Sequence, residues 1–229
     1  MAQNAKENLI TQPPARSLFF FALPMIIGNL FQQFYNMADS IIVGNLVGED
    51  ALAAVGASYS FTTVFIMIAI GGGIGASVLT SQYLGAGHYK EMKSSVYTFF
   101  ITFVVFSTLL AILGFSINPT VLHLLKTPEN IMPDAVAYLQ IYFVGLPFMS
   151  ANFNALGRSK IPLFLLIFSS ILNIVLDFWM VGGLNMGVSG AAVATVIAQG
   201  IAAVISFVIL MRLLATYSVE GRVERFRKD

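Results

Sequence analysis

The sequence predicts an all-α polytopic membrane protein, a single lobe of six transmembrane helices, and three observations predict it. Of its 229 residues, 57% are hydrophobic and 10% charged. A soluble domain carries about 25% charge, so too little polar surface is present here to cover a water-facing globule. Uncharged runs occupy 17–38, 51–87, 94–125, 135–157, 161–176 and 178–211, and the basic residues between them fall on alternate loops. Zero Cys excludes a disulfide framework, a thiolate metal site and a Cys nucleophile, and two His leave little material for a zinc cluster. A net charge of +1 gives no nucleic-acid footprint. No nucleophile, base and oxyanion grouping is visible, so an enzyme is not expected, and no cofactor is implied.

A spanning helix needs roughly 20 mainly apolar residues at about 1.5 Å rise each, and every run except the fifth meets that alone. The fifth meets it when Asp177 lies inside the membrane. The expected spans are therefore 17–42, 52–77, 95–117, 134–156, 161–181 and 188–212, with a cytoplasmic N-terminus at 1–16 and a basic tail or linker start at 213–229. Lys6 and Arg16 before the first run invite a signal-peptide reading. The run extends well beyond the roughly 7–15 residues of an h-region and continues through Asn36-Met37-Ala38-Asp39 without a small-x-small cleavage site, so the segment is read as retained. Pro24 in span 1 removes one backbone hydrogen bond and predisposes that helix to bend. Pro147 in span 4 has the same effect.

In span 2, Gly71-Gly72-Gly73-Ile74-Gly75 is not a nucleotide loop, because no Lys-Ser/Thr follows and no strand precedes. Gly71 and Gly75 instead form a small-xxx-small pair that allows close helix approach. His88 and His123 are read as solvated or interfacial. Tyr59, Phe178 and Trp179 lie near the expected outer boundaries, where interfacial aromatics are common.

The loops test this count independently. Lys6, Arg16, Lys90, Lys93, Arg158, Lys160, Arg212, Arg222, Arg225, Arg227 and Lys228 lie on one side, and Lys126 alone lies on the other. The positive-inside rule then gives an even number of helices with both termini cytoplasmic.

Apart from Asp134 at the very start of span 4, only Asp39 and Asp177 among the acidic residues fall within spans. A carboxylate in hydrocarbon costs about 2.5–3.5 kcal/mol on insertion scales, so such residues face a bundle interior and mark an ion or substrate path. Their neighbours agree. Asn29, Gln32, Gln33, Asn36 and Asp39 recur at spacings of three and four along span 1; Ser169, Asn173 and Asp177 do so on span 5; Thr195 and Gln199 are four apart on span 6. Three polar stripes on apolar helices point to one shared cavity, with interhelical hydrogen bonding as the structural alternative. Sliding the sequence by 138 residues also aligns Asp39 with Asp177, Val43-Gly44 with Val181-Gly182, Leu46 with Leu184 and Ala53-Ala54-Val55 with Ala191-Ala192-Val193. Paired intramembrane sites of this kind suit a transporter built on repeats.

Several stretches together resemble the multidrug and toxic compound extrusion (MATE) family of cation antiporters, particularly its prokaryotic branch. They are Leu23-Pro24, then Asn36-Met37-Ala38-Asp39-Ser40-Ile41-Ile42-Val43-Gly44, then 71–87 ending Ser81-Gln82-Tyr83-Leu84-Gly85-Ala86-Gly87. Ala155-Leu156-Gly157-Arg158-Ser159-Lys160-Ile161-Pro162, Leu172-Asn173-Ile174-Val175-Leu176-Asp177 and Gly187-Val188-Ser189-Gly190-Ala191-Ala192-Val193-Ala194-Thr195 complete the set. The resemblance implies one of the family's two six-helix lobes, the N-terminal one, in the prokaryotic inner membrane. It implies that Asp39, Asn173, Asp177 and Thr195 bind the coupling H+ or Na+, with no other metal, and that Pro24 is where the first helix bends. It further implies export of amphipathic, often cationic small molecules through a cavity for which Asn29, Gln33, Asn36, Phe34 and Gln199 are candidates. Phe31, Tyr35, Met37, Phe61 and Tyr138 are candidate aromatic and Met walls.

Two departures bear on this. The segment 148–156 looks several residues shorter than the family's passage out of the fourth helix, and the second lobe is missing, so a second lobe or a homodimer partner is expected beside the lipid bilayer. Two other readings share the composition. A lipid-linked saccharide flippase of the same superfamily calls for a strongly basic cavity, and no Lys or Arg lies within a span apart from Arg212 at the closing edge of the sixth. A non-transporting truncated remnant accommodates both departures.

Overall fold

A computed structural model describes residues 14–149 and 160–217. Most of the expected N-terminal segment, the connection that carries Arg158 and the shortened passage, and the tail beyond 217 lie outside the described residues. Every regular element among the described residues is helical. The elements are α1 (Pro14–Leu46), α2 (Glu49–Ala86), α3 (Tyr89–Leu124), α4 (Met132–Met149), α5 (Lys160–Asp177) with a π-helical turn (Phe178–Gly183), and α6 (Gly187–Ala215). One helix answers each expected span. By length and composition, four segments among the described residues are able to cross a membrane: Glu49–Ile68, Tyr89–Leu124, Ile161–Gly183 and Gly187–Ala215.

Helix ends follow local chemistry. α2 opens after Gly48 at φ 126° with Glu49 and Asp50 in its first turn, where carboxylates complement the helix dipole. It closes at Gly87, φ 78°, with the Gly87 N–H donating to the Leu84 carbonyl (3.3 Å) and the His88 N–H to that of Tyr83 (3.0 Å), a Schellman pattern that needs a left-handed residue. α2 contains 38 residues; at about 1.5 Å each it outreaches an apolar layer of about 30 Å, so its end projects into water. α1, α3 and α4 run through Pro24, Pro119 and Pro147 without losing helical assignment. After Asp177 the helix widens into its π turn, closed by Leu184 N–H to Trp179 carbonyl at 2.9 Å. Asn185 (φ 52°) and Gly187 (φ 59°) then reverse the chain into α6.

Around the lobe the helices pack in the order α1, α5, α6, α4, α3, α2, with α4 also against α2; α4 and α6 share the most extensive contact. The main core gathers at the end that carries the α1–α2, α3–α4 and α5–α6 turns. There Phe61, Phe65 and Phe143 meet edge to face at centroid distances of 5.1, 5.5 and 4.8 Å, the geometry that ring quadrupoles favour. A smaller core of Met92, Val96, Leu210 and Leu214 ties α3 to α6 at the opposite end. Along α3 an apolar face that includes Val105, Leu109 and Ile112 stays exposed, as a lipid-facing surface requires.

The small-residue contacts differ from expectation. Gly71 and Gly75 lie in an unbroken stretch of α2, and an added Cβ at either meets nothing within 4 Å. The close approaches are at Gly114, where an added Cβ falls 2.5–2.7 Å from the Phe143 ring, and at Gly145, where it falls 2.5, 2.6 and 3.1 Å from Val196 Cγ2, Cγ1 and Cβ.

Candidate functional site

Helical periodicity turns Tyr35, Asp39, Ile42 and Val43 of α1 toward the bundle, since steps of three and four keep residues on one face. On α5 the same rule buries Ser169, Asn173 and Asp177, and on α6 it buries Ala191, Thr195, Ala198 and Ala202. The Ala-rich face of α6 lets these helices approach. As a result Asp39, Asn173, Asp177 and Thr195 converge, with exposures of only 6%, 2%, 0% and 2%.

The cluster is held by directed contacts. The carboxyl groups of Asp39 and Asp177 lie within hydrogen-bonding reach of each other. The Asn173 amide is oriented by its neighbours: its nitrogen donates to Asp177 Oδ2 (2.9 Å), while its oxygen accepts from the Thr195 N–H and from Thr195 Oγ1, both at 3.2 Å. The opposite orientation gives only an Nδ2 donation to Thr195 Oγ1 at 3.2 Å and turns the amide oxygen toward a carboxylate. Tyr35 Oη lies 3.3 Å from Thr195 Oγ1. Asp39 Oδ1 and Asp177 Oδ1 remain buried without a partner.

Two adjacent carboxyl groups and two orphan oxygens define what this arrangement can do. If both carboxyls ionise, like charges face each other away from water; a shared proton or a bound cation removes that repulsion and occupies the orphan acceptors. Every side-chain acceptor turned inward is oxygen, the donor type that a hard monovalent cation takes. Among the described residues no group of three or more His, Cys, Asp or Glu is placed to hold a metal ion.

The candidate cavity residues divide between two surfaces. Asn29, Gln33 and Phe34 are exposed on α1, and Asn36, part-buried, donates its amide N–H to Gln33 Oε1 at 3.3 Å. Phe31 and Met37 are exposed as well, whereas Tyr35, Phe61 and Tyr138 are buried. Gln199 is half-buried on α6, one helical turn beyond Thr195. Pro24 lies half-buried on α1, four residues before Gly28, which packs against Leu163 and Leu166 of α5. The stripe on α1 is thus not one surface: Asp39 faces α5, and Asn29, Gln33 and Asn36 turn away from it.

Sequence reasoning placed Tyr35 and Tyr138 only as walls. Tyr35 in fact contacts Thr195, and Tyr138 is buried on α4. Tyr142, one turn farther along α4, stacks on Tyr138 at a centroid distance of 6.4 Å. The signal was present, because Tyr35 precedes Asp39 by four residues and Tyr138 precedes Tyr142 by four.

The MatE family model matches residues 24–179, more than half of the chain. The chain is similar to a probable multidrug resistance protein, YpnP of Bacillus subtilis, with 33% identity over 211 residues that cover 89% of this chain and 47% of that protein. In structure it is similar to the Vibrio cholerae MATE transporter VcmN in its bent form, with a TM-score of 0.75, 26% identity, and coverage of 92% of this chain and 48% of that one. It also shares its fold with a MOP superfamily transporter from Pyrococcus furiosus, TM-score 0.79 at 23% identity, over 97% of this chain and 50% of that one. The chain spans about half the length of the curated relatives that it matches.

Proposed function

Because this chain belongs to the MatE family, we propose that it forms one lobe of a secondary active transporter in which H+ or Na+ binding at Asp39, Asn173, Asp177 and Thr195 is exchanged against export of an amphipathic or cationic compound. The observation that carries this is the buried pairing of Asp39 with Asp177 inside an apolar lobe. Charges that far from water are retained at high cost, and an ion path is the ordinary reason for retaining them.

The chemistry follows from where the two carboxyls are mounted. Asp39 sits on α1 and Asp177 on α5, so a proton or cation held between them ties the two helices together. When it leaves, facing charges repel by about 4 kcal/mol at 4 Å for an effective dielectric of about 20. That is enough to bias a two-state packing by roughly a thousandfold. Asn173 and Thr195 orient Asp177 and offer neutral oxygens, and Pro24 gives α1 a place to bend. The exposed polar face of α1 at Asn29, Gln33 and Asn36 supports a substrate surface. Facing lipid it would be costly, and it is relieved by a water-filled cavity closed by a second lobe or a second copy of this chain. The loop charges support an orientation with both termini cytoplasmic in the plasma membrane.

The experiment is ethidium efflux from drug-sensitive cells that express the chain, with and without a proton uncoupler or a Na+ gradient, and with Asp39→Asn as the comparison. Gradient-dependent efflux that disappears in Asp39→Asn supports the reading. Gradient-dependent efflux that persists in Asp39→Asn overturns the assignment of the ion site.

A further inference from the structure

Thr195 supplies contacts at the edge of tolerance: Tyr35 Oη at 3.3 Å and the Asn173 amide at 3.2 Å, near the long limit for such bonds. What fixes Thr195 in that place is therefore as important as the hydroxyl itself. The next residue, Val196, does not face the cluster. It packs into α4, and the surface it meets is Gly145. An added Cβ at position 145 would lie 2.5 Å from Val196 Cγ2, 2.6 Å from Cγ1 and 3.1 Å from Cβ. Both methyls and their branch point are too close at once, so a rotation about χ1 does not relieve the contact and the α6 backbone must move.

We propose that Gly145 is a positioning residue for the cation site: the missing side chain on α4 lets Val196 seat, and this seating sets how far α6 stands from α4 and α5 and so where Thr195 meets Tyr35 and Asn173. The inference rests on the ion-site reading above. The three atoms nearest to an added Cβ at Gly145 all belong to Val196, so Gly145 acts through Val196 and the α6 backbone. Gly114 provides the internal comparison, since its added Cβ is equally crowded, at 2.5–2.7 Å, but meets Phe143 in the aromatic core on the other side of α4.

The sole tryptophan, Trp179, lies two residues beyond Asp177 in the exposed face of the π turn and serves as the fluorescence probe of that turn. The test is intrinsic fluorescence of the purified full chain in detergent or nanodiscs, titrated separately with Na+ and with pH, on wild type, Gly145→Ala, Val196→Ala, Gly145→Ala/Val196→Ala and Gly114→Ala. The expected result is a half-saturating cation or proton concentration displaced by about threefold to tenfold in Gly145→Ala, the scale of one strained hydrogen bond. It returns to the wild-type value in the double variant, where the added methyl fills space the valine vacated, and is unchanged in Gly114→Ala. A wild-type midpoint in a folded Gly145→Ala, or an equal displacement in Gly114→Ala, overturns the proposal. Should Gly145→Ala alone not fold, Val196→Ala must show a displaced midpoint that the double variant restores, and equal midpoints in those two overturn it. A wild-type chain whose fluorescence responds to neither ion, or responds equally in Asp39→Asn, fails the ion-site reading itself and takes the Gly145 proposal with it. A wild-type response lost in Asp39→Asn but indifferent to Gly145→Ala fails only the latter.

Discussion

Asp39 on α1 and Asp177 on α5 stand 138 residues apart in sequence and bring their carboxyl groups within hydrogen-bonding reach of each other. The same offset carries Leu46, the last residue of α1, onto Leu184 at the close of the π turn, and Glu49, the first of α2, onto Gly187, the first of α6. The α1–α2 and α5–α6 hairpins therefore correspond end for end at this offset, and each contributes one of the two carboxylates. Two equivalent groups facing each other form a site that belongs to neither helix and that responds to any change in their separation.

That dependence gives a stability prediction for the pair. A cation that binds the folded lobe and not the unfolded chain stabilises it by RT ln(1 + [L]/Kd), about 2.7 kcal/mol at a hundredfold excess over Kd. For a chain of this size such a change moves the melting temperature by about 2–4 °C per kcal/mol. Purified wild type is expected to gain several degrees on addition of saturating Na+, or of acid where protons serve, and Asp39→Asn and Asp177→Asn are each expected to lose that gain. In cation-free buffer either variant melts no lower than wild type, since removing one of two facing charges removes repulsion. Differential scanning fluorimetry reads both, and a full cation response in the two variants would falsify the pairing.

Thr195 and Tyr35 yield a second prediction. Thr195→Val keeps the shape and removes the hydroxyl, which leaves Tyr35 Oη and the Asn173 amide oxygen short of a partner; an unsatisfied buried group costs about 1–3 kcal/mol. The expected loss of cation affinity is about tenfold for Thr195→Val and smaller for Tyr35→Phe, which forfeits one end of a 3.3 Å contact. Thr195→Ser should retain most of the affinity. Equal affinities for Ser and Val at position 195, measured by fluorescence titration, would show the hydroxyl to be idle.

Apolar run length made the six helices legible, because each span must bury its own backbone hydrogen bonds and needs a minimum length to do so. The four-residue spacing of Asn173 with Asp177, and of Thr195 with Gln199, likewise placed the polar groups of α5 and α6. Periodicity tells which residues share a face; it does not tell what covers that face. Hence Asp39 and Asn36, neighbours on one stripe by spacing, part company in the fold, where α5 covers the first and leaves the second half open. Gly71 and Gly75 read as a helix contact and meet open space, while Gly145, which has no glycine partner in sequence, makes one of the two close approaches, the other being at Gly114. The π turn after Asp177 left no mark in composition, since Phe178-Trp179-Met180-Val181-Gly182-Gly183 continues an apolar run that an α-helix would also accept.

Gly114 tests the packing of the turn-bearing end. Gly114→Ala pushes a methyl into the Phe143 ring, which Phe61 and Phe65 hold from two sides. Overpacking of this kind costs about 1–3 kcal/mol. A melting temperature lowered by several degrees is expected, with cation affinity intact. Phe143→Leu in the same chain should recover part of the loss, whereas an unchanged melting temperature for Gly114→Ala would mean that the α3–α4 contact is looser than described.

The orientation of the lobe is open to a direct chemical test, since the chain has no Cys and any introduced thiol is unique. Lys90 in the α2–α3 region and Arg212 near the end of α6 lie at one end of the bundle, and Lys126 in the α3–α4 turn lies at the other; all three are exposed. Charge attraction to an anionic cytoplasmic leaflet, worth about 1 kcal/mol per basic residue near the surface, favours the end that carries more of them. In intact cells a membrane-impermeant maleimide is therefore expected to label Lys126→Cys. Lys90→Cys and Arg212→Cys are expected to react only after permeabilisation. Labelling of Lys90→Cys in intact cells, with Lys126→Cys protected, would invert the lobe, and it would place the carboxylate pair nearer the cytoplasmic side than the loop charges require.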